Sequence, residues 1–195
     1  MVLSGPSGVG KGTVVSRAMA ARNGEARRLR RSVSVTTRQR RGDEQEARDY
    51  LFVTCEEFGR MVASGDLLES ATYLDHSYGT PREWVDSQLA AGCDVVLEIE
   101  VQGAMQVRSQ RPEAVLVYML PPSWATLRRR LARRRSESPE TQERRLQVAR
   151  EETRSISRYD YVIVNRRVSQ AARLLLSILA AERSRVARTC ISDVL

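Results

Sequence analysis

A glycine-rich stretch near the start of the chain, GPSGVGKGT at residues 5–13, restricts the possible folds more than any other feature. It follows a short apolar stretch and leads into residues 14–21, whose composition predicts a helix. A glycine-rich turn between a strand and a helix directs successive backbone N–H groups at one point, where the helix dipole adds positive potential, and this suits a phosphate. Lys11 adds a point charge that can reach the outer phosphates of a nucleoside triphosphate. The sequence therefore predicts a phosphate-binding loop, and a chance glycine-rich turn is the alternative.

The loop departs from the pattern G-x-x-x-x-G-K-[ST] at its last position, where Gly12 stands and the hydroxyl group comes one residue later, at Thr13. Composition nevertheless singles out Lys11. The chain contains 32 lysine and arginine residues, and Lys11 is the only lysine among them. A compact ammonium and a planar guanidinium are not interchangeable around a phosphate, so a lysine at this position favours function over accident.

Composition also limits the class of protein. A chain of 195 residues with 42% hydrophobic residues fits one domain with a substantial core. No apolar run approaches the ~20 residues of a membrane span, and we find no signal peptide. The cysteines at positions 55, 93 and 190 lack CxxC spacing, and the single histidine, His76, has no partners for a metal site. We therefore expect a cytoplasmic protein with free thiols and no membrane association.

The charge of the chain raises the question of nucleic-acid binding. The net charge is +8, with an isoelectric point near 10.1. An arginine-rich solvated surface and a pocket for polyanionic nucleotides explain this charge equally well. Because aromatic residues make up only 5% of the chain and no RNA-binding signature is present, we expect no dedicated nucleic-acid recognition.

Strand-like and helix-like patterns alternate along most of the chain. The runs 94–99, 114–120 and 161–164 are largely apolar, as in parallel strands covered on both faces. Residues 23–31 are polar and basic and are predicted to be a connection. Residues 34–92 are rich in strand patterns and interrupt the alternation, which predicts an insertion with its own role. Within it, the sequences TCEE and TPRE, at residues 54–57 and 80–83, predict two helix capping boxes.

Seven segments carry a resemblance to a known family: GPSGVGKGT, SVSVTTRQRRGDE, DYLFV, YGTPRE, LEIEVQG, LPPS and YDYVIVN. In this order and spacing, the chain resembles the guanylate kinase family of nucleoside monophosphate kinases over nearly its whole length. The resemblance implies an α/β fold in which a parallel sheet of about five strands is flanked by helices, with a small mixed β/α insertion and a helical lid. It implies a core domain of residues 1–33, 93–126 and 147–195, a GMP-binding subdomain of residues 34–92 and a lid of residues 127–146.

The resemblance further implies a site for GMP. Arg38 and Arg41, with the hydroxyl groups of Tyr50 and Tyr78, match the residues that hold the GMP phosphate, and arginine forks suit such an acceptor. An exposed basic loop is the alternative for these arginines. Guanine presents N1–H and its 2-amino group as adjacent donors, and the carboxylate that accepts them is Glu69 in the resemblance. The other GMP-binding residues that it implies are Ser34, Thr80, Glu98 and Glu100.

The resemblance assigns the donor nucleotide to the glycine-rich loop. The implied ATP-binding residues are Gly5, Pro6, Ser7, Gly8, Val9, Gly10, Lys11, Gly12 and Thr13. Mg²⁺ accompanies ATP, with Thr13 as a ligand, directly or through water. Lys11 is implied to be catalytic together with three arginines of the lid segment LRRRLARRRSESPETQERR, namely Arg130, Arg134 and Arg145. A solvated basic helix is the alternative for this segment.

The chain departs from the family pattern at four positions. Glu100 stands where the family favours aspartate, which leaves open whether this carboxylate contacts guanine directly or through water. Arg40 stands where proline is common. Arg133 and Arg135 flank the middle lid arginine, where glycines are usual, and two arginines in place of glycines predict a stiffer lid.

The resemblance implies an ATP:GMP phosphotransferase that converts GMP, and also dGMP, with ATP to GDP or dGDP and ADP, and that acts as a monomer or a homodimer. Phosphoryl transfer needs positioning and charge neutralisation more than covalent chemistry, which agrees with one phosphate loop and a second arginine-rich anion site. Two alternatives remain. A non-catalytic guanylate-kinase-like interaction domain would not need Lys11, and a kinase of another small phosphorylated acceptor would not need Glu69.

Overall fold

Strands and helices alternate along most of the chain in the computed structural model, which describes residues 1–21, 24–42, 44–73, 75–132 and 139–188. The strands are β1 Val2–Ser4, β2 Leu29–Arg31, β3 Ser34–Thr36, β4 Tyr50–Phe52, β5 Leu67–Tyr73, β6 His76–Pro81, β7 Asp94–Glu98, β8 Leu116–Leu120 and β9 Tyr161–Val164. The α-helices are α1 Lys11–Met19, α2 Gly24–Arg28, α3 Cys55–Ala63, α4 Arg82–Ala90, α5 Val101–Gln110, α6 Trp124–Ala132, α7 Pro139–Thr153 and α8 Val168–Arg183. Short 3₁₀ turns lie at Ile156–Arg158 and Val186–Arg188.

Five strands form a parallel sheet in the order β2-β7-β1-β8-β9. Val2 and Leu3 of β1 lie in register with Leu97 and Glu98 of β7, and β8 pairs with β9 in the same direction. The residues of β1 and β8 that face the core are almost completely buried, as expected for central strands covered by helices on both faces. The predicted α/β fold with a five-stranded parallel sheet is confirmed.

The edge of this sheet that is formed by β2 differs from the prediction. Residues 23–31 were expected to be a connection, but they contain α2 and the edge strand β2. Each of these elements buries one residue: Ala26 in α2 and Leu29 in β2, where the next residue, Arg30, is exposed. One apolar residue among arginines produces no period that a sequence pattern can detect.

Contacts along the chain divide it into two compact units. The first unit comprises Met1–Ser4 and Arg30–Leu116, and the second comprises Gly5–Leu29 and Val117–Leu195. The first unit contains a four-stranded sheet in the order β4-β3-β6-β5, with β3 parallel to β4 and antiparallel to β6. Helix α3 packs on this sheet through Phe58, which contacts Val35 and Leu67.

The two predicted capping boxes have different outcomes. The box at Thr54 is confirmed: its hydroxyl accepts from the amide of Glu57, and the Glu57 carboxylate accepts from the amide of Thr54. The box at Thr80 is wrong, because Pro81 caps α4 without a side-chain hydrogen bond. The hydroxyl of Thr80 donates instead to Glu69 on the neighbouring strand, at 2.7 Å.

The second unit packs α1 against α8 and α6 against α7. Helix α6 begins as predicted after Ser123, whose hydroxyl accepts from the amide of Thr126 at 3.1 Å. Leu127 and Leu131 of α6 pack against Leu146 of α7 in a buried apolar cluster. Among the described helices, none is both long enough and apolar enough to span a membrane.

Candidate active site

The glycine-rich loop links β1 to α1, as the sequence predicts. Gly10 occupies the N-cap of α1 with φ +100°, a left-handed conformation that favours glycine. A Cβ atom at Gly10 would also lie only 2.8 Å from the side-chain nitrogen of Asn165. The Lys11 ammonium curls back and donates a hydrogen bond to the Gly5 carbonyl, so the ammonium lies inside the curl of the loop, where the backbone N–H groups of a phosphate loop converge.

Two side chains of the second unit anchor the loop at one carbonyl. The Val9 carbonyl accepts from the side-chain amide of Asn165 at 2.8 Å and from the guanidinium of Arg130 at 2.9 Å. Arg130 also donates to the Asn165 carbonyl at 3.3 Å. Asn165 follows β9 directly and is buried. The predicted lid residue Arg130 therefore contacts the phosphate loop directly.

A second predicted lid arginine also contacts the loop. Arg145 of α7 is buried, with only 6% of its surface exposed, and donates to the Ser7 hydroxyl at 2.6 Å. Arg134 lies outside the described residues. Thr13, the expected Mg²⁺ ligand, is exposed on the first turn of α1.

Thr13 is the metal ligand that the sequence analysis predicts in the glycine-rich loop. Among the residues that the structure describes, no group of three or more His, Cys, Asp or Glu side chains could hold one. One hydroxyl from the protein is a donor set that suits Mg²⁺, which keeps several waters and is held largely by substrate phosphates. The chemistry of the loop therefore fits a metal that arrives with the nucleotide.

In the first unit, Glu69 and Thr80 form a buried pair. Glu69 of β5 is 4% exposed, and Thr80 of β6 is fully buried. The two residues lie opposite each other in the antiparallel pairing, where the Thr80 hydroxyl donates to Oε1 of Glu69 at 2.7 Å. Burial raises the pKa of Glu69 from 4.5 to about 7; the Thr80 hydrogen bond opposes this shift and the nearby charge of Glu100 adds to it.

Arg38 and Arg41 are joined by a carboxylate, Glu44. Arg38 is buried and donates to both oxygens of Glu44, at 2.8 and 3.1 Å. The amide of Arg41 donates to Glu44 Oε2 at 2.9 Å, while the Arg41 side chain is exposed. Burial acts to lower the pKa of Arg38, but the hydrogen bond and charge of Glu44 outweigh it, so the pKa of Arg38 is raised. Burial likewise acts to raise the pKa of Glu44, but its bonds to Arg38 and Arg41 lower that pKa overall.

The predicted tyrosines lie around Arg38. Its guanidinium carbon is 5.4 Å from the ring centroid of Tyr50, and Tyr50 and Tyr78 meet edge to face with centroids 6.0 Å apart. Ser34 is in register with Tyr50 across β3 and β4. Burial raises the pKa of Tyr50, so its hydroxyl remains a hydrogen-bond donor at neutral pH.

The two acidic candidates after β7 differ in their surroundings. Glu98 lies 2.8 Å from Arg31 in an ion pair. Glu100 is the N-cap residue of α5 and makes no side-chain capping bond. Its charge raises the pKa of Glu69, so the two carboxylates interact electrostatically.

Sequence analysis missed two residues that hold candidate site residues in place: Glu44, which binds Arg38 and the amide of Arg41, and Asn165, which binds the Val9 carbonyl. Glu44 was detectable in part, because a carboxylate six residues after Arg38 in a basic loop has obvious partners. Asn165 lies at the end of a predicted strand, but its partner is the backbone of Val9, 156 residues away in sequence. No local signal indicates such a contact.

Comparisons with known proteins agree with one another. A family model described as guanylate kinase matches residues 1–182. The guanylate kinase of Latilactobacillus sakei is 45% identical over 188 residues, covering 96% of this chain and 91% of the relative. A guanylate kinase of Thermus thermophilus is 46% identical over 187 residues, covering 96% of this chain and 83% of the relative. The crystal structure of guanylate kinase from Anaplasma phagocytophilum superposes with a TM-score of 0.79 at 34% identity, covering 96% of this chain and 87% of that one.

Proposed function

The chain belongs to the guanylate kinase family, and from this premise we propose how its side chains divide the work of phosphoryl transfer. The protein is an ATP:GMP phosphotransferase, which produces ADP and GDP. The phosphate of GMP is already an anionic nucleophile, so the reaction requires no general base. The tasks left to the protein are to orient two nucleotides, exclude water and offset the charge on the group in transfer.

In the acceptor half, the guanine base binds to Glu69, with Ser34 and Thr80 beside it. The buried pair of Glu69 and Thr80 is the observation that best supports this proposal. A carboxylate that is removed from water and given a single hydroxyl partner retains acceptor capacity, which two adjacent donors of guanine can satisfy. Glu98 and Glu100 complete the side of the site that faces the base.

The phosphate of GMP binds to Arg41, Arg38, Tyr50 and Tyr78. Glu44 holds Arg38 in place and fixes the backbone of Arg41. The exposed guanidinium of Arg41 can form paired hydrogen bonds to the phosphate. A buried arginine that is already oriented loses little conformational entropy when it binds an anion.

In the donor half, the loop backbone and Lys11 bind the phosphates of ATP. Arg130 and Arg145 contact the loop at Val9 and Ser7, which supports a role for both at the transferring group, with Arg134 as the third lid arginine. The donor set around Thr13 fits Mg²⁺, which would offset phosphate charge when it binds with ATP. Ser7 accepts from Arg145 through its hydroxyl, and the loop residues 5–13 other than Ser7, Lys11 and Thr13 act through their backbone.

Several finer features also belong to this proposal. We infer that dGMP is an acceptor, because none of the proposed guanine and phosphate contacts involves the 2′-hydroxyl group. We propose a cytoplasmic enzyme that acts as a monomer or homodimer, with residues 34–92 as the GMP-binding subdomain and residues 127–146 as the lid.

Replacing Glu69 with glutamine tests the proposal. Glu69→Gln keeps the shape but exchanges one charge-assisted acceptor for an amide, and such a bond contributes about 1.5–3 kcal/mol. We expect a roughly 10- to 150-fold loss of kcat/KM for GMP with little change in KM for ATP. Glu56→Gln, at an exposed carboxylate of α3, is the matched control. A Glu69→Gln enzyme with parental kcat/KM for GMP would show that another group selects the base.

A further inference from the structure

Helix α5 lies along the edge strand of the four-stranded sheet and bonds to it through side chains. Gln106 accepts from the amide of Ser70 at 3.0 Å and donates to the carbonyl of the same residue at 2.6 Å. Gln110 donates to the Leu68 carbonyl at 3.0 Å. The two glutamine amides thus take the place of a neighbouring strand and satisfy backbone groups that an edge strand leaves unpaired.

These bonds lie on both sides of the proposed guanine-binding carboxylate. Leu68 and Ser70 flank Glu69 in the chain, so the backbone is held one residue before and one residue after it. The pairing of β5 with β6 also shifts register between Leu67 and Glu69. At such an irregularity the ladder to the other strand fixes the backbone less strictly, and the bonds from α5 supply part of that restraint.

The same face of α5 provides the space for the Glu69 side chain. Gly103 precedes Gln106 by three residues and Gln110 by seven, the spacing of one helix face. A Cβ atom at Gly103 would overlap Oε2 of Glu69 and would lie 3.0 Å from Cδ and 3.4 Å from Cγ. Gly103 is buried in the interior of α5, and its backbone does not adopt the left-handed conformation that favours glycine. The absence of a side chain there therefore serves the carboxylate, whereas the helix itself would accept alanine.

We propose that α5 determines guanine selection by positioning Glu69. Gly103 provides the space in which the Glu69 carboxyl group lies, and Gln106 fixes the backbone from which it projects. Both are positioning residues that act through Glu69 and do not touch the nucleotide. This inference rests on the proposed role of Glu69 in binding guanine.

Hypoxanthine provides a readout specific to this geometry. IMP carries the N1–H donor of GMP but lacks the 2-amino group, so the ratio of kcat/KM for GMP to that for IMP reports the bond to that group. If the carboxylate is displaced, this ratio falls. A general loss of folding or of closure lowers both values together and leaves the ratio unchanged.

Gly103→Ala is the decisive variant, because the substitution favours the helix. We expect the variant to fold, because the gain in helix propensity offsets part of the cost of displacing a buried carboxyl group. The KM for ATP should be unchanged and the GMP/IMP ratio should fall by about tenfold or more, the effect of one hydrogen bond to a charged group. Gly59→Ala is the matched control. Gly59 also lies within a helix, α3, but a Cβ atom there meets nothing within 4 Å, so its GMP/IMP ratio should equal that of the parent.

Two further variants separate the possible failures. Gln106→Leu removes both bonds to Ser70 and should lower the GMP/IMP ratio by about threefold or more; it decides the matter if Gly103→Ala does not fold. The inference is overturned if Glu69→Gln lowers the ratio while folded Gly103→Ala and Gln106→Leu keep it within about twofold of the parent value. If Glu69→Gln itself keeps the parental ratio, the proposed role of Glu69 fails and the inference fails with it.

Discussion

In its proposed role as the guanine-binding group, Glu69 has to satisfy two opposing demands. Burial between β5, β6 and α5 favours the neutral acid and raises the pKa to about 7, whereas acceptance of two guanine donors requires the carboxylate. Because the folded pKa lies above the ordinary 4.5, the contribution of Glu69 to stability is fully present below about pH 4.5 and is lost as the pH rises through about 7. GMP binding reverses this preference, since its donors stabilise the ionised form.

Proton release on GMP binding follows from this linkage. Below about pH 7, Glu69 must lose its proton when guanine binds, so the affinity for GMP should rise with pH and level off above about pH 8. Titration calorimetry in buffers of different ionisation enthalpy measures the release, which should approach one proton at about pH 6 beyond that of the Glu69→Gln variant. This variant is the control, because the GMP phosphate itself titrates near pH ~6. Equal pH slopes in parent and variant would contradict the account.

At this scale the sequence alone identifies some groups and not others. Lys11 is evident from its loop and from its isolation among arginines. The candidates in the acceptor half came from the family resemblance, since a glutamate near a strand end has no distinctive pattern. Glu44 and Asn165 were missed because their importance lies in their partners, and a partner 156 residues distant leaves no trace in local sequence.

Identical capping patterns in two elements show how tertiary contacts override local rules. The pattern at Thr54 caps α3 because Thr54 is the N-cap residue: its hydroxyl accepts from the amide of Glu57 and also donates to the Glu57 carboxylate at 2.9 Å. The pattern at Thr80 fails because Thr80 still belongs to β6, opposite Glu69, and the N-cap position of α4 falls one residue later, at Pro81. The hydroxyl of Thr80 therefore donates across the sheet to the buried carboxylate of Glu69 at 2.7 Å. A local pattern cannot show at which residue the strand ends and the helix begins, and here the difference of one residue decides the partner of the hydroxyl.

Hydrogen exchange tests the predicted mobile elements. Closure over both substrates excludes water from the reacting phosphates, so residues 34–92 and 127–146 should gain amide protection when GMP and a non-hydrolysable ATP analogue are both present. Strand β8, whose residues 116–119 are fully buried, serves as the internal control and should not change. Unchanged exchange in both segments would contradict the assignment of a GMP-binding subdomain and a lid.

The residues proposed to bind the two nucleotides lie in different compact units of the molecule. The proposed acceptor residues, from Ser34 to Glu100, belong to the first unit, and the glycine-rich loop with Arg130 and Arg145 belongs to the second. The α/β class and the parallel sheet were predictable from the sequence pattern, because buried parallel strands are continuous apolar runs, whereas the number of about five strands came from the family resemblance. The short edge strand β2 was not, since it contributes a single buried leucine.

Lys11→Arg should fold and bind GMP normally but lose about a hundredfold in kcat, since a planar guanidinium inside the loop displaces the phosphates. The single-turnover rate, the affinity for GMP and the Tm of the variant, measured on one preparation, test this prediction. A variant with a kcat near that of the parent would show that Lys11 is not needed for transfer.

A coupled assay of ADP release with purified parent enzyme tests the central claim, phosphoryl transfer from ATP to GMP, most directly. GMP, dGMP, AMP, UMP and CMP are offered as acceptors. The enzyme should use GMP and dGMP, and kcat/KM for the other three should be lower by about 10³-fold or more, because a buried carboxylate left without its donors rejects them. ADP release that is equally fast with AMP or a pyrimidine nucleotide, or that does not require an acceptor, would contradict the account.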